Sequence, residues 1–222
     1  MKRLGYISHE KTAPAPVGPL LHCVVKSPAG RYAASLELVG GVIFIYDCEN
    51  QYQIVWKERM PKGADPRHLC FSRDGRFLYV NHQGDEKVSV YHFNPEAEKK
   101  LFHLQTLSVK GEDGIGKTEP AAIRLSPDGR LLAVSSRGMG TEHREDLITL
   151  FDVNQQEGTL SLKQAVRTGG QMPRDFNFTP DGKFLVTGYQ FQSYLDLYQV
   201  TENGLVFISS SDVLPSPVCI AF

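Results

Sequence analysis

One pattern recurs four times in this chain and limits what it can fold into. An apolar run meets a short polar turn and a second apolar run follows. The turns are Ser27-Pro28-Ala29-Gly30, Ser72-Arg73-Asp74-Gly75, Ser126-Pro127-Asp128-Gly129 and Thr179-Pro180-Asp181-Gly182. The four glycines lie 45, 54 and 53 residues apart. Proline presets φ and glycine supplies the positive φ a tight turn needs, so each segment reads as a β-hairpin. A third apolar run follows each hairpin, at Val42–Tyr46, Val88–Tyr91, Ile148–Phe151 and Leu195–Tyr198. A fourth, weaker run comes next, at Gln53–Arg59, Phe102–Val109, Leu160–Arg167 and Leu205–Val213. Four strands in a unit of about 50 residues is the period of a propeller blade. A β-sandwich is the alternative, but it has no reason to repeat four strands so regularly.

The predicted fold is therefore all-β, a propeller of four-stranded antiparallel blades near residues 21–60, 64–110, 119–168 and 171–215. The 222 residues read as one domain, with Pro217–Phe222 as a further strand. No amphipathic helix longer than two turns is predicted. The formal net charge of −1 argues against a nucleic-acid partner held by bulk charge. No apolar run approaches 18 residues, so no membrane span is expected. Cys23, Cys48, Cys70 and Cys219 are scattered among apolar neighbours with no CxxC pair. They read as small buried hydrophobes with free thiols. With no apolar leader after Met1, a cytoplasmic location is expected.

The hairpin register points to a site. Counting from each turn glycine, position −8 holds His22, Arg67, Ala121 and Arg174. Position +7 holds Glu37, His82, Ser136 and Tyr189, and position +8 holds Leu38, Gln83, Arg137 and Gln190. The start of a hairpin's first strand and the end of its second lie together, opposite the turn. All twelve residues are thus expected on one rim, around one mouth of a central channel. Three arginines on that rim suit an anionic small molecule, because guanidinium clamps carboxylate and phosphate bidentately. The alternative is that each arginine pairs with a carboxylate or caps a loop.

These residues also carry a resemblance. Asp65-Pro66-Arg67-His68-Leu69, Ser135-Ser136-Arg137-Gly138, the stretch Gly169–Phe176 and the closing Pro217-Val218-Cys219-Ile220 are together similar to motifs of the lactonase family of seven-bladed β-propellers. That family includes 6-phosphogluconolactonases and carboxy-muconate cyclases. The resemblance runs from about Ser8 to Phe222. It implies active-site roles for His22, Arg67 and Arg137, and for a glutamate at the position that here is Gln83. A glutamine cannot take a proton as a general base. Leu20 stands where a second histidine is common, and His82, Ser136 and Tyr189 replace the usual Asn at +7.

The resemblance implies hydrolysis of a sugar lactone, with 6-phosphogluconolactone as substrate. Arg67, Arg137 and Arg174 would hold phosphate and developing oxyanion, and His22 would activate water. Glu37 is the rim carboxylate expected to stand in at the missing position, and His82 and Gln190 complete the substrate-binding set. No cofactor or metal is expected. The other reading is a catalytically degenerate propeller that binds an anionic ligand or serves as a scaffold. Four blades of an expected seven leave raw sheet edges, so self-association is expected. Residues 1–20 resemble the family's mid-chain linker, implying three blades upstream.

Three features read as decoys. Gly111–Thr118 fits GxxxxGK[ST] literally, but a P-loop needs a helix to follow, and Pro120 with a strand comes instead. His92, His103 and His143 lack partners at metal-ligand spacing. The charged run Glu142–Asp146 reads as a solvated loop.

Overall fold

The computed structural model describes residues 20–111, 114, 116–138, 145–212 and 215–222. Among these, all regular structure is strand, and sixteen strands form four antiparallel sheets. Blade one holds β1 (Leu21–Lys26), β2 (Tyr32–Glu37), β3 (Val42–Asp47) and β4 (Gln53–Arg59). Blade two holds β5 (Pro66–Phe71), β6 (Phe77–His82), β7 (Lys87–Phe93) and β8 (Leu101–Ser108). Blade three holds β9 (Thr118–Leu125), β10 (Leu131–Gly138), β11 (Leu147–Val153) and β12 (Leu160–Arg167). Blade four holds β13 (Pro173–Phe178), β14 (Phe184–Tyr189), β15 (Tyr194–Thr201) and β16 (Gly204–Asp212). Within each sheet the strands lie in chain order. This is the blade organisation that the repeat predicts.

The recurring turn explains the recurring hairpin. Gly30, Gly75, Gly129 and Gly182 have φ of 77°, 76°, 76° and 72°, which favours a residue without Cβ. The hydroxyl three residues earlier accepts the amide that opens the second strand. Tyr32 donates to Ser27 Oγ at 3.2 Å, Phe77 to Ser72 at 2.9 Å, Leu131 to Ser126 at 2.9 Å and Phe184 to Thr179 at 3.1 Å. In blades two to four the turn aspartate receives that same hydroxyl at 2.6 Å. Ala29 leaves this bond out of blade one.

Neighbouring blades share apolar cores, which is why a blade cannot stand alone. Ala34, Leu36, Ile43 and Ile45 of blade one pack with Leu69, Phe71, Leu78 and Val80 of blade two. Tyr79, Val88 and Val90 meet Ile123, Leu132 and Val134 between blades two and three. Ile148 and Leu150 meet Phe176, Phe178 and Leu185 between blades three and four. The innermost strands β1, β5, β9 and β13 are consecutive neighbours.

Two expectations need correction, the terminal strand and the buried cysteines. Residues 217–222 form no strand ladder. They dock on blade four through Ile220, whose amide donates to Asp175 Oδ2 at 2.9 Å and whose carbonyl accepts from Asn177 Nδ2 at 3.2 Å. In blade one Ala33, Val42, Phe44 and Tyr46 form a buried cluster of their own, while Leu21 and Val24 of β1 stay exposed. Exposed apolar side chains lie on both end blades, at Leu21, Val24 and Val39 of blade one and at Val206, Phe207, Ile208, Val218 and Phe222 of blade four and its tail. Cys219 is exposed, while Cys23, Cys48 and Cys70 are half-buried. The linker-like residues 1–19 lie outside the described residues.

Candidate functional site

Each blade carries a β-bulge in its first strand, at the end away from the turn. In blade one Leu21 pairs with Glu37 and Cys23 with Leu36, leaving His22 as the extra residue. Pro66 and His68 pair across β5–β6 and leave Arg67. Pro173 and Asp175 leave Arg174. In blade three the extra residue falls at Ala121–Ala122. The amide freed by the bulge is taken by a β2-equivalent side chain: His68 N donates to Asn81 Oδ1 at 2.8 Å, and Ala122 N to Ser135 Oγ at 3.0 Å. A bulge re-aims a side chain out of the pleat, and here it does so at every −8 position.

The result is one cluster drawn from all four blades. Arg67 is 3% exposed and its Nη1 donates to the Ala121 carbonyl, which Asn81 Nδ2 also reaches at 3.2 Å. Arg137 Nη2 donates to Gln83 Oε1 of blade two and to Glu119 Oε2 of its own blade, each at 3.0 Å. Arg174 Nη1 donates to Gln190 Oε1 at 2.9 Å. The His22 ring lies 5.0 Å from that of His68. Burial, then repulsion from Arg137 and Arg174, holds Arg67 down to about 9, with Asp175 partly offsetting it. Arg67 is still a cation at neutral pH. His22 is exposed on β1, and partial loss of water, then the Arg67 guanidinium, lowers it to about 4, while the more buried His68 is lowered to about 2 by the same causes. Both imidazoles are therefore neutral at pH 7, and the ordinary titration near 6.5 does not apply to His22.

The +7 row behaves differently. Strand alternation turns it into the sheet stack, away from the +8 row. Glu37 is 2% exposed, and its carboxylate accepts the amides of Leu20, Val39 and Gly40 at 3.3, 3.1 and 2.5 Å. It caps the β2–β3 turn, so the expectation that it serves as the rim's spare carboxylate is corrected. His82 is buried with Nδ1 2.9 Å from Asp85 Oδ1, and burial lowers its pKa. It too braces a turn, between β6 and β7. Tyr189 donates to Asp196 Oδ2 at 2.5 Å inside blade four. The structure thus brings together His22, Arg67, Gln83, Arg137, Arg174 and Gln190, and leaves Glu37 and His82 outside that group.

Two site residues escape a count from the turn glycines. Glu119 lies at −10, opposite Arg137 in the β9–β10 ladder. His68 stands beside Arg67, and its Nδ1 is buried without a hydrogen-bond partner among the described residues. The Pro-Arg-His triplet was the available signal for His68. Strand β9 begins at Thr118, whose Oγ1 donates to the Glu145 carbonyl at 2.7 Å, so no helix follows the P-loop-like stretch. Glu112, Asp113 and Ile115 of that stretch lie outside the described residues, as do Glu142, His143 and Arg144. The rest of the charged run is not a solvated loop. Glu145 is buried against Arg167 at 2.7 Å, and Asp146 accepts the amides of Gly138 and Met172 at 2.9 and 2.8 Å.

Chemically, the cluster joins three guanidiniums to an uncharged imidazole at one end of the inner strands. It can clamp a carboxylate or phosphate, stabilise a developing oxyanion and accept a proton. Fold and site define a β-propeller with a cationic mouth. Residues 2–222 match the family described as "Lactonase, 7-bladed beta-propeller", and the chain belongs to that family. A 6-phosphogluconolactonase of Bacillus subtilis is 33% identical over 162 residues, 72% of this chain and 44% of that protein. A solved Lactobacillus plantarum protein superposes with a TM-score of 0.82 at 27% identity, covering 96% of this chain and 62% of that one. A periplasmic gluconolactonase of Pseudomonas aeruginosa gives 0.81 at 28% identity, covering 96% and 60%. The chain thus spans about half the length of the curated relative and about three-fifths of the two solved ones.

Proposed function

We propose that the chain opens an anionic sugar lactone by hydrolysis, with 6-phosphogluconolactone as the first candidate. The observation that carries this is the convergence of Arg67, Arg137 and Arg174 beside a neutral His22. The similarity to proteins named 6-phosphogluconolactonase and gluconolactonase supports the same class.

In this reading Arg174, held by Gln190, takes the substrate's anionic tail. Arg67 and Arg137 face the lactone carbonyl oxygen. Water attacks the carbonyl carbon as His22 accepts its proton, and the arginines hold the oxyanion. Collapse breaks the ring C–O bond. The imidazolium, acidic because its pKa is about 4, returns the proton to the leaving alkoxide. One water is consumed and a hydroxy acid results. Calorimetry with 6-phosphogluconate, gluconate and glucose tests the binding half. The affinities should fall in that order, and equal weak binding of all three would refute it.

A second reading, a binding module without turnover, is favoured by Gln83, whose amide holds Arg137 but cannot take a proton. Under that reading Gln83→Glu would switch on lactone opening in an otherwise inactive chain.

A further inference from the structure

Arg137 is held from two blades at one nitrogen. Gln83 Oε1 approaches Nη2 from β6's end in blade two, and Glu119 Oε2 approaches it from β9. Glu119 and Arg137 are direct ladder partners, so backbone pairing fixes the distance between their Cα atoms. The Arg137 side chain is 8% exposed and its Nε is buried without a partner among the described residues, whereas the Glu119 side chain is 28% exposed. The Arg137–Glu119 pair is therefore a shielded cation facing a carboxylate that still reaches solvent. A second carboxylate at position 83 would meet Glu119 across the same nitrogen, and two carboxylates sharing one site repel. An amide there keeps the hydrogen bond and avoids the repulsion.

We propose that Glu119 is the positioning carboxylate of this mouth, supplying from blade three the negative charge that position 83 lacks and aiming Arg137 at the lactone carbonyl. The inference rests on the proposed lactone-opening reaction. Glu119 acts through Arg137 and forms no bond to substrate. Its charge offsets the two neighbouring guanidiniums, so Arg137 holds one orientation as the oxyanion develops. Position 83 and position 119 are then alternative seats for one carboxylate.

That exchange can be measured on the full 222-residue chain with 6-phosphogluconolactone, following acid release by pH-stat. Glu119→Gln keeps the shape and an acceptor oxygen but removes the charge. It should lower kcat about 10- to 100-fold with KM changed less than about threefold, because the orientation lost matters most in the transition state. Glu119→Asp should recover part of that loss. Gln83→Glu alone should not raise kcat, since it crowds two carboxylates. The double variant Gln83→Glu/Glu119→Gln, with one carboxylate moved across the nitrogen, should return kcat to within about threefold of wild type. A group needed only for folding would show no such rescue. Wild-type turnover with an unimpaired Glu119→Gln, or a double variant no better than Glu119→Gln, overturns this inference alone. A wild-type chain that opens no lactone above the spontaneous rate overturns the proposed reaction and this inference with it.

Discussion

Replacing Arg67 by methionine should separate ligand binding from stability. Arg67 is buried, and burial with two neighbouring cations lowers it from 12.5 to about 9. At about 1.4 kcal/mol per pH unit, that shift sets an upper bound of a few kcal/mol on the cost of keeping the cation in the folded chain. Methionine fills much of the same volume without charge. The Ala121 carbonyl, which Arg67 also contacts, keeps Asn81 as a donor. Removing the charge therefore relieves a penalty while stranding no acceptor, and buried charges are often replaced by apolar groups without loss. Against this stands one lost hydrogen bond of about 1 kcal/mol. The net change in unfolding free energy should lie between about −1 and about 4 kcal/mol in favour of Arg67→Met. Binding of 6-phosphogluconate should weaken by about 1.5–3 kcal/mol, the worth of a hydrogen bond to a charged group, or about 10- to 150-fold in Kd. Urea denaturation and calorimetry on one preparation give both numbers. A variant destabilised by 3 kcal/mol with unchanged Kd would refute the reasoning and make Arg67 a structural residue.

Three further outcomes follow from the same structure. His68 is held neutral in the folded chain by burial and by Arg67, whereas the unfolded chain binds a proton there from about pH 6.5 downward. Stability is therefore full above pH 6.5 and falls as pH drops towards 4; urea melts should show this, His68→Leu should flatten it, and stability rising on acidification would contradict it. Gly129→Ala places Cβ at φ 76° and 3.2 Å from Arg73 Cδ, so it should cost about 1–2 kcal/mol in a thermal melt, and a cost near zero would show that the turn can relax. The exposed apolar tail of blade four, where Phe222 is 65% exposed, should drive association at micromolar concentration. Light scattering should detect it and Phe207→Ser/Phe222→Ser should reduce it; a stable wild-type monomer would contradict it.

What the sequence discloses and what it hides divide along local and non-local lines. The hairpins are legible because Ser126, Asp128 and Gly129 act within six residues of one another, and the same chemistry recurs in each blade. The −8 row is legible for the same reason: a fixed count from the turn lands on His22, Arg67 and Arg174. The bulge that aims them is not, because it appears only in the pairing of one strand with the next. Glu37 and Gln83 look equivalent as neighbouring rim positions, yet alternation sends Glu37 to a turn and Gln83 to Arg137. Glu119 stays hidden because its partner Arg137 is 18 residues away, across a ladder whose register a sequence does not print. The lowered pKa of His22 is likewise a property of its neighbours, since Arg67 reaches it from another blade.

The central claim is that this mouth opens an anionic lactone with His22 as the base. The direct measurement is acid release from 6-phosphogluconolactone by the purified chain and its His22→Gln variant, from pH 4 to pH 7.5, with the spontaneous rate subtracted. The account predicts turnover by the wild-type chain that persists to about pH 4.5, where an ordinary histidine base would already be protonated. It also predicts that His22→Gln lowers kcat by about 100-fold or more. Turnover that is unchanged in His22→Gln, or that fails below pH 6.5, would contradict it.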